Sequence, residues 1–415
     1  MGQSPEARFV SDDLIGLPLL NGPAEFTEKY PVPVQFTSEA KRIAEQKDIL
    51  FCVRGSTTGR MNIADRKYAI GRGLASIRHK NDEDLNIYIK ALIEVNLKKL
   101  LGGTLGSVFP NLTKDNLFNL ECFVHSKQEQ KQIAKVLSDL DAKIEVNNKI
   151  NQELEALAKT IYDYWFVQFD FPDQNGKPYK SSGGKMVNNE QLKREIPVGW
   201  EKGVLDDIAK IVRGVSYNKH DIKTPNDENV TPVLRATNIT GNIIDLENMV
   251  YVPDEFVSEK QLMNKNDVLI TMSSGSKDHI GKNGMFYFDK KVAFGAFCAK
   301  LEAKENYQFF LSSYMQSEFI SETIKKECLG TSINNLNGSL VKGFRLVKPS
   351  EDVLKSFNEK LKPIHNKIGN NQKQNQKLAE LRDWLLPMLM NGQVTVGEAK
   401  EELGMVAEED VKYNR

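Results

Sequence analysis

Residues 126–166 read SKQEQKQIAKVLSDLDAKIEVNNKINQELEALAKTIYDYWF, and their spacing decides the architecture. Large apolar residues fall at Ile133, Leu137, Leu140, Ile144, Leu154, Ile161 and Trp165. With Asn147, Asn151 and Ala158 they make an unbroken alternation of steps of four and three, the seam of a coiled-coil helix. Ser126 and Glu129 form a capping box that marks the start. The helix is expected to end before Phe171-Pro172. About 40 residues at roughly 1.5 Å each give a rod about 60 Å long.

The seam occurs twice. Adding 224 to each position lands on Phe357, Leu361, Ile364, Ile368, Asn371, Asn375, Leu378, Arg382, Leu385 and Leu389. A long helix with one apolar stripe needs a partner, and the nearest is its own copy. If the two run antiparallel, residues 147–151 near the middle of one meet 371–375 near the middle of the other. Asn147, Asn151, Asn371 and Asn375 then form a buried polar layer that fixes register at some cost in stability. Replacing Asn147 and Asn371 with leucine is expected to raise the melting temperature and loosen the register.

The globular segments repeat as well. Asn266-Asp-Val-Leu-Ile270 answers Lys47-Asp-Ile-Leu-Phe51, and the loop Ser273–Lys277 answers Arg54–Arg60. Ala293-Phe-Gly answers Ala69-Ile-Gly, Gly330-Thr331 answers Gly103-Thr104, and Asn335-Leu336 answers Asn111-Leu112. The chain is therefore a tandem duplication. Its expected fold is α+β: two similar mixed α/β recognition domains separated by two long antiparallel coiled-coil helices, related by a pseudo-two-fold axis. The expected divisions are 1–125 for the first domain, 126–170 for the first helix and 171–349 for a polar linker and the second domain. The second helix takes 350–390, and 391–415 form a mobile, acidic tail. Within the first domain, strands are expected at 48–53, 68–70 and 74–77, and a helix over 84–101. The copies differ at their starts. Pro197–Val212 precede Arg213-Gly214, whereas the first copy opens at Met1-Gly2, so either it lacks this opening strand and helix or its start is short.

Composition narrows the class. Lys+Arg and Asp+Glu balance at 56 each in 415 residues, which excludes a polybasic tail protein but not a basic face. Cys52, Cys122, Cys298 and Cys328 form no CxxC pair, so buried strand cysteines in a reducing compartment are expected rather than zinc or disulfides. No run of eighteen apolar residues and no signal peptide is present, which points to the cytoplasm and away from membranes.

Charge is concentrated locally. From Arg54 to Lys80 seven basic residues face one acid, Asp65, and from Lys260 to Lys300 seven lysines face three aspartates. Ser, Thr, Gly and Asn surround them on loops that follow buried strands. Such loops suit phosphate clamps and base-edge readers, with Arg to guanine, Asn to adenine, and Ser or Thr to either. A solvated hairpin would look the same in one copy; its recurrence favours DNA. Catalytic signatures are missing: no Asn/Asp-Pro-Pro-Tyr/Phe of an aminomethyltransferase, no Walker loop, and only a nuclease fragment at Pro253-Asp254-Glu255. Neither a catalytic residue nor a metal ligand is expected.

Met1-Gly-Gln-Ser-Pro5, Gly16-Leu-Pro-Leu-Leu-Asn-Gly22, Ile70-Gly-Arg-Gly-Leu-Ala75, Glu129-Gln-Lys-Gln-Ile133 and Trp384-Leu-Leu-Pro-Met-Leu-Met-Asn-Gly392 resemble type I restriction-modification specificity subunits, as does the duplication. The resemblance implies two target recognition domains that read the halves of a split double-stranded DNA sequence. It also implies two methyltransferase subunits docked on the helices, with S-adenosylmethionine bound there and none in this chain, and restriction/translocase subunits beyond them. By this analogy the DNA-binding residues are Arg54, Ser56, Thr57, Arg60 and Arg72 in the first copy. In the second they are Arg235, Asn238, Ser273, Ser274 and Lys277. The competing reading is a coiled-coil adaptor joining two protein-binding globules.

Overall fold

The computed structural model describes residues 1–27, 29–102, 111–276, 279–329, 335–399 and 401. The chain divides into two compact units, one of residues 1–144 and 377–415, the other of 145–376. Each contains part of both long helices, Lys127–Tyr162 and Glu351–Met390. The first helix starts as its sequence dictates, with the Ser126 backbone N–H donating to Glu129 at 3.0 Å and the Glu129 N–H donating to the Ser126 hydroxyl at 3.4 Å. A π-turn, Asp163–Val167, ends it and buries Trp165 and Phe166.

In the first unit a three-stranded antiparallel sheet, in the order Met61–Ile63, Ile49–Cys52, Leu74–Ile77, lies beside a five-stranded one. The five-stranded sheet has one parallel pair, Leu17–Leu20 with Tyr68–Ile70. Its apolar core joins Leu20, Leu50, Cys52, Tyr68 and Leu74. The expected single helix over 84–101 is two, Asn86–Val95 and Leu97–Gly102. The side-chain amide of Asn96 donates to the Leu92 carbonyl at 2.8 Å, a local bond of the kind by which Asn competes with the helical ladder. Leu85, Tyr88 and Ala91 pack with Ile133, Leu137 and Leu140 of the first long helix and Leu378, Leu385 and Leu389 of the second.

The second unit repeats the strand register. Leu50 faces Ser76 across the first unit's sheet, and Leu269 faces Lys300 across the second's. Leu19 pairs parallel with Ala69, as Val233 does with Ala293. Lys47 and Asn266 both turn into their strands with left-handed φ of 69° and 72°. The carboxylate after each accepts a backbone N–H three residues back, Asp48 from Glu45 at 2.8 Å and Asp267 from Asn264 at 2.7 Å. Each buried carboxylate meets a cation from the neighbouring strand, Arg78 or Lys300. Gly2 and Gly214 are counterparts too. A Cβ on either would stand 2.2 Å from a carbonyl oxygen, that of Gly71 or Gly295, so no other residue fits.

The copies diverge at one edge. In the second unit Ala209–Arg213 pairs with Cys298–Ala303 as a fourth strand. Among the described residues, no strand pairs with the matching outer edge of Leu74–Ile77. The polar stretch 171–196, expected to be a linker or surface excursion, is folded onto the second unit. Phe171 stacks on Trp200 at 5.0 Å and on Tyr179 at 4.6 Å, and the hairpin Met186–Asn189/Arg194–Pro197 buries Ile196.

The long helices run antiparallel within the second unit: Trp165 meets Phe357, Asn151 meets Asn371 and Asn147 meets Asn375. Within the first unit Asp141 meets Arg382, which answers for the one charged seam position. The tail from 402 onward lies outside the described residues. Just before it Thr395 and Glu398 cap a short turn and Ala399 is buried. No described helix is long and apolar enough to cross a membrane.

Candidate nucleic-acid interface

The loop after Ile49–Cys52 is fixed by its own backbone. Gly59 N–H donates to the Cys52 carbonyl at 2.9 Å, and Cys52 N–H to the Arg60 carbonyl at 2.9 Å. Gly55 and Gly59 supply φ values of 89° and 97° that close the turn. Arg54, Ser56, Thr57 and Arg60 are exposed along it. Arg54 bridges to Asn111, and Val53 N–H donates to the Gly73 carbonyl at 2.9 Å. The loop therefore sits against the turn Gly71-Arg72-Gly73, where Arg72 is exposed and its N–H meets the Ser4 hydroxyl at 3.3 Å.

The charges sort into two groups. Arg66 pairs with Asp65, Lys67 with Glu45 and Arg78 with Asp48. Arg60 donates to the Pro23 carbonyl at 3.2 Å and the Phe26 carbonyl at 2.8 Å, so it clamps a neighbouring loop. Arg54 and Arg72 make no ion pair among the described residues, and they are the guanidiniums left to face a ligand.

The second unit places Ser273 where the first has Arg54. Ser273 bridges to Asn335 as Arg54 does to Asn111, and Met272 N–H donates to the Phe297 carbonyl at 2.8 Å. Ser274 is half-buried and its hydroxyl accepts from Ser276 N–H at 3.3 Å. Lys277 lies outside the described residues. Arg235 donates to the Asn248 carbonyl at 2.8 Å. Asn238 lies inside its loop rather than on its surface. It is 3 % exposed, its amide donates to the carbonyls of Asp245 and Glu247, and its oxygen accepts from Arg235 N–H. Every group it would offer an adenine is committed to holding its own loop.

The second basic region is also less exposed than its composition suggests. Lys300 is 1 % exposed against Asp267 and the Leu262 carbonyl, and Lys291 pairs with Asp254. The Thr231 hydroxyl and Lys291 hold the Asp254 carboxyl below its usual range, which gives that carboxylate a structural role. Cys52 and Cys298 are buried strand residues, and burial pushes the Cys298 thiol up to about 12. Cys122 is half-buried outside any strand. Sequence reasoning passed over the turn Gly295-Ala296-Phe297. Phe297 is 69 % exposed at its tip.

The asparagines come together in the second unit. Asn147 donates to Gln374 and, at 2.8 Å, to Asn375; Asn371 donates to Asn151 at 2.8 Å; Asn375 donates to Asn148 at 2.7 Å.

Two separated segments, residues 27–156 and 197–380, match the model of the type I restriction modification DNA specificity domain, more than half of the chain. The chain belongs to that family. Among its relatives, the MjaIX specificity subunit of Methanocaldococcus jannaschii is 29 % identical over 304 residues, covering 73 % of this chain and 66 % of the relative. The putative MjaX specificity subunit of the same organism is 36 % identical over 163 residues, 39 % of this chain and 38 % of that one. The HindI specificity subunit of Haemophilus influenzae aligns over 422 residues at 22 % identity, covering 86 % of this chain and 88 % of that one. The two stretches matched by the family fall one in each copy of the duplication, the first mostly in the first unit and the second mostly in the second.

Proposed function

We propose that this chain is the sequence-recognition subunit of a type I restriction-modification complex. Each unit reads one half of a split double-stranded DNA target, and the paired helices set the gap between the halves. The chain itself is not catalytic. Two modification subunits dock on it in the cytoplasm, bring S-adenosylmethionine and methylate adenine N6, and restriction subunits join through them.

The observation that carries the reading is one strand frame used twice, with different side chains at the loop ends. A duplicated frame with divergent tips suits a reader of two unlike half-sequences. The family match and the names of the relatives support it. Arg54, Ser56, Thr57 and Arg72 would face the first half, and Arg235, Ser273, Ser274 and Lys277 the second; Arg60 and Asn238 would hold the loops.

Sequencing modified bases in the host with and without this gene tests it. A bipartite methylated sequence should vanish with the gene. Arg54→Ala should relax one position of one half, at about 1–3 kcal/mol against the correct base. Unchanged methylation on deletion of the gene would defeat the proposal.

A further inference from the structure

The two units present the same backbone frame with opposite chemistry at its tip. In the first, Val53 N–H donates to the Gly73 carbonyl at 2.9 Å, Leu112 N–H to the Val53 carbonyl at 2.9 Å, and Arg54 bridges to Asn111. In the second, Met272 N–H donates to the Phe297 carbonyl at 2.8 Å, Leu336 N–H to the Met272 carbonyl at 2.7 Å, and Ser273 bridges to Asn335. Bond for bond, Ser273 replaces Arg54 and Phe297 replaces Gly73. The turn continues the exchange, with Gly71-Arg72-Gly73 in one copy and Gly295-Ala296-Phe297 in the other. Two guanidiniums beside a bare glycine have become a hydroxyl, a methyl and a phenyl.

Phe297 is held rather than loose. Its carbonyl also accepts from Ser273 N–H at 3.1 Å, and Cys298 N–H closes the turn on the Gly295 carbonyl at 2.8 Å. Ala296 N–H donates to the Val215 carbonyl at 2.9 Å, and Gly295 N–H to the Leu234 carbonyl at 2.8 Å. The side chain nevertheless stands 69 % exposed. A ring fixed by its backbone but left in water gives up little freedom when it meets a ligand.

We infer that Phe297 is a specificity-determining residue of the second unit, and that it reads a thymine through the C5-methyl group. This rests on the DNA-reading function proposed above. A phenyl ring has no hydrogen bond to offer a base edge, and the thymine methyl is the apolar feature of the major groove. The first unit, with Arg54 and Arg72 at the matching place, reads guanine O6 and N7 there instead. The halves of the target thus differ in kind at the position each tip meets.

The test uses the full chain assembled with its methyltransferase subunits, on duplexes carrying the host's methylated sequence. Each thymine of the target is replaced in turn by deoxyuridine, which removes only the methyl. One position, in the half assigned to the second unit by Arg54→Ala, should weaken wild-type binding about four-fold, the worth of one buried methyl at ~0.8 kcal/mol. The Phe297→Ala complex should bind about as weakly, and that substitution should then cost it nothing further. Sequenced methylation in cells carrying Phe297→Ala should be relaxed at that base alone. The inference is overturned if no thymine in that half is sensitive. It is overturned equally if Phe297→Ala weakens binding to every duplex alike, as a wedge between base steps would. In either case Arg54→Ala still changes specificity and the DNA-reading function stands; a complex that binds none of the duplexes defeats that function itself.

Discussion

His365 shows how a single residue ties stability to solution conditions. Its ring is stacked on Phe309 at 4.6 Å, Nδ1 meets the Tyr287 hydroxyl at 2.7 Å, and Nε2 is buried without a partner. Burial lowers its pKa to about 4, and the charge that acts on its partner Tyr287 is that of Glu155, whose own pKa is raised by burial. The unfolded chain takes up a proton near pH 6.5 that the folded chain refuses. Stability is therefore complete above about 6.5 and falls as pH drops toward 4, by up to about 3 kcal/mol. Melting followed by circular dichroism between pH 7 and pH 5 should show this loss, and His365→Phe should flatten it. Little of this is legible in the sequence, where His365 is one of five scattered histidines. The same holds for the main-chain carbonyls that Arg60 and Asn238 meet. Those of Arg60 lie at Pro23 and Phe26, and sequence spacing says nothing about carbonyls.

The long helices were the most legible elements, because a four-three alternation is written in residue types. Ile133, Leu137, Leu140, Phe357, Leu361 and Leu385 are each at most 4 % exposed. What the sequence could not show was how the asparagines pair. Asn147→Leu with Asn371→Leu would cut three bonds and leave oxygens of Asn151, Gln374 and Asn375 in the seam without these donors. An abandoned buried amide costs about 1–3 kcal/mol, so that double variant is expected to melt lower than the wild type. The matched change is Asn151→Leu with Asn371→Leu, which removes both ends of one bond and the already unpartnered Asn151 Nδ2. It should melt no lower than the wild type, because both ends of a neutral buried bond are replaced by apolar groups together. Thermal melts of both doubles, with each single variant, complete the cycle that checks this.

At the scale of the whole chain, duplication was visible in the sequence because strands, loops and seams recur in order. The loop tips were opaque because recognition surfaces diverge while frames persist, as Phe297 in place of Gly73 illustrates. If the helices act as a ruler, one heptad added to each lengthens them by about 10.5 Å, roughly three base pairs of DNA. Methylated-base sequencing should then report a changed gap with both half-sequences intact; altered halves would sink the ruler. One further feature bears on handling the molecule. Among the described residues no strand pairs with the outer side of Leu74–Ile77, where Gly2 N–H meets the Leu74 carbonyl at 2.8 Å, and an edge of this kind is a place where an extended segment can add. Lys80, exposed just past its end, is the kind of charge that discourages such adhesion, so high salt, which screens that charge, is the condition under which that edge takes up a segment most readily.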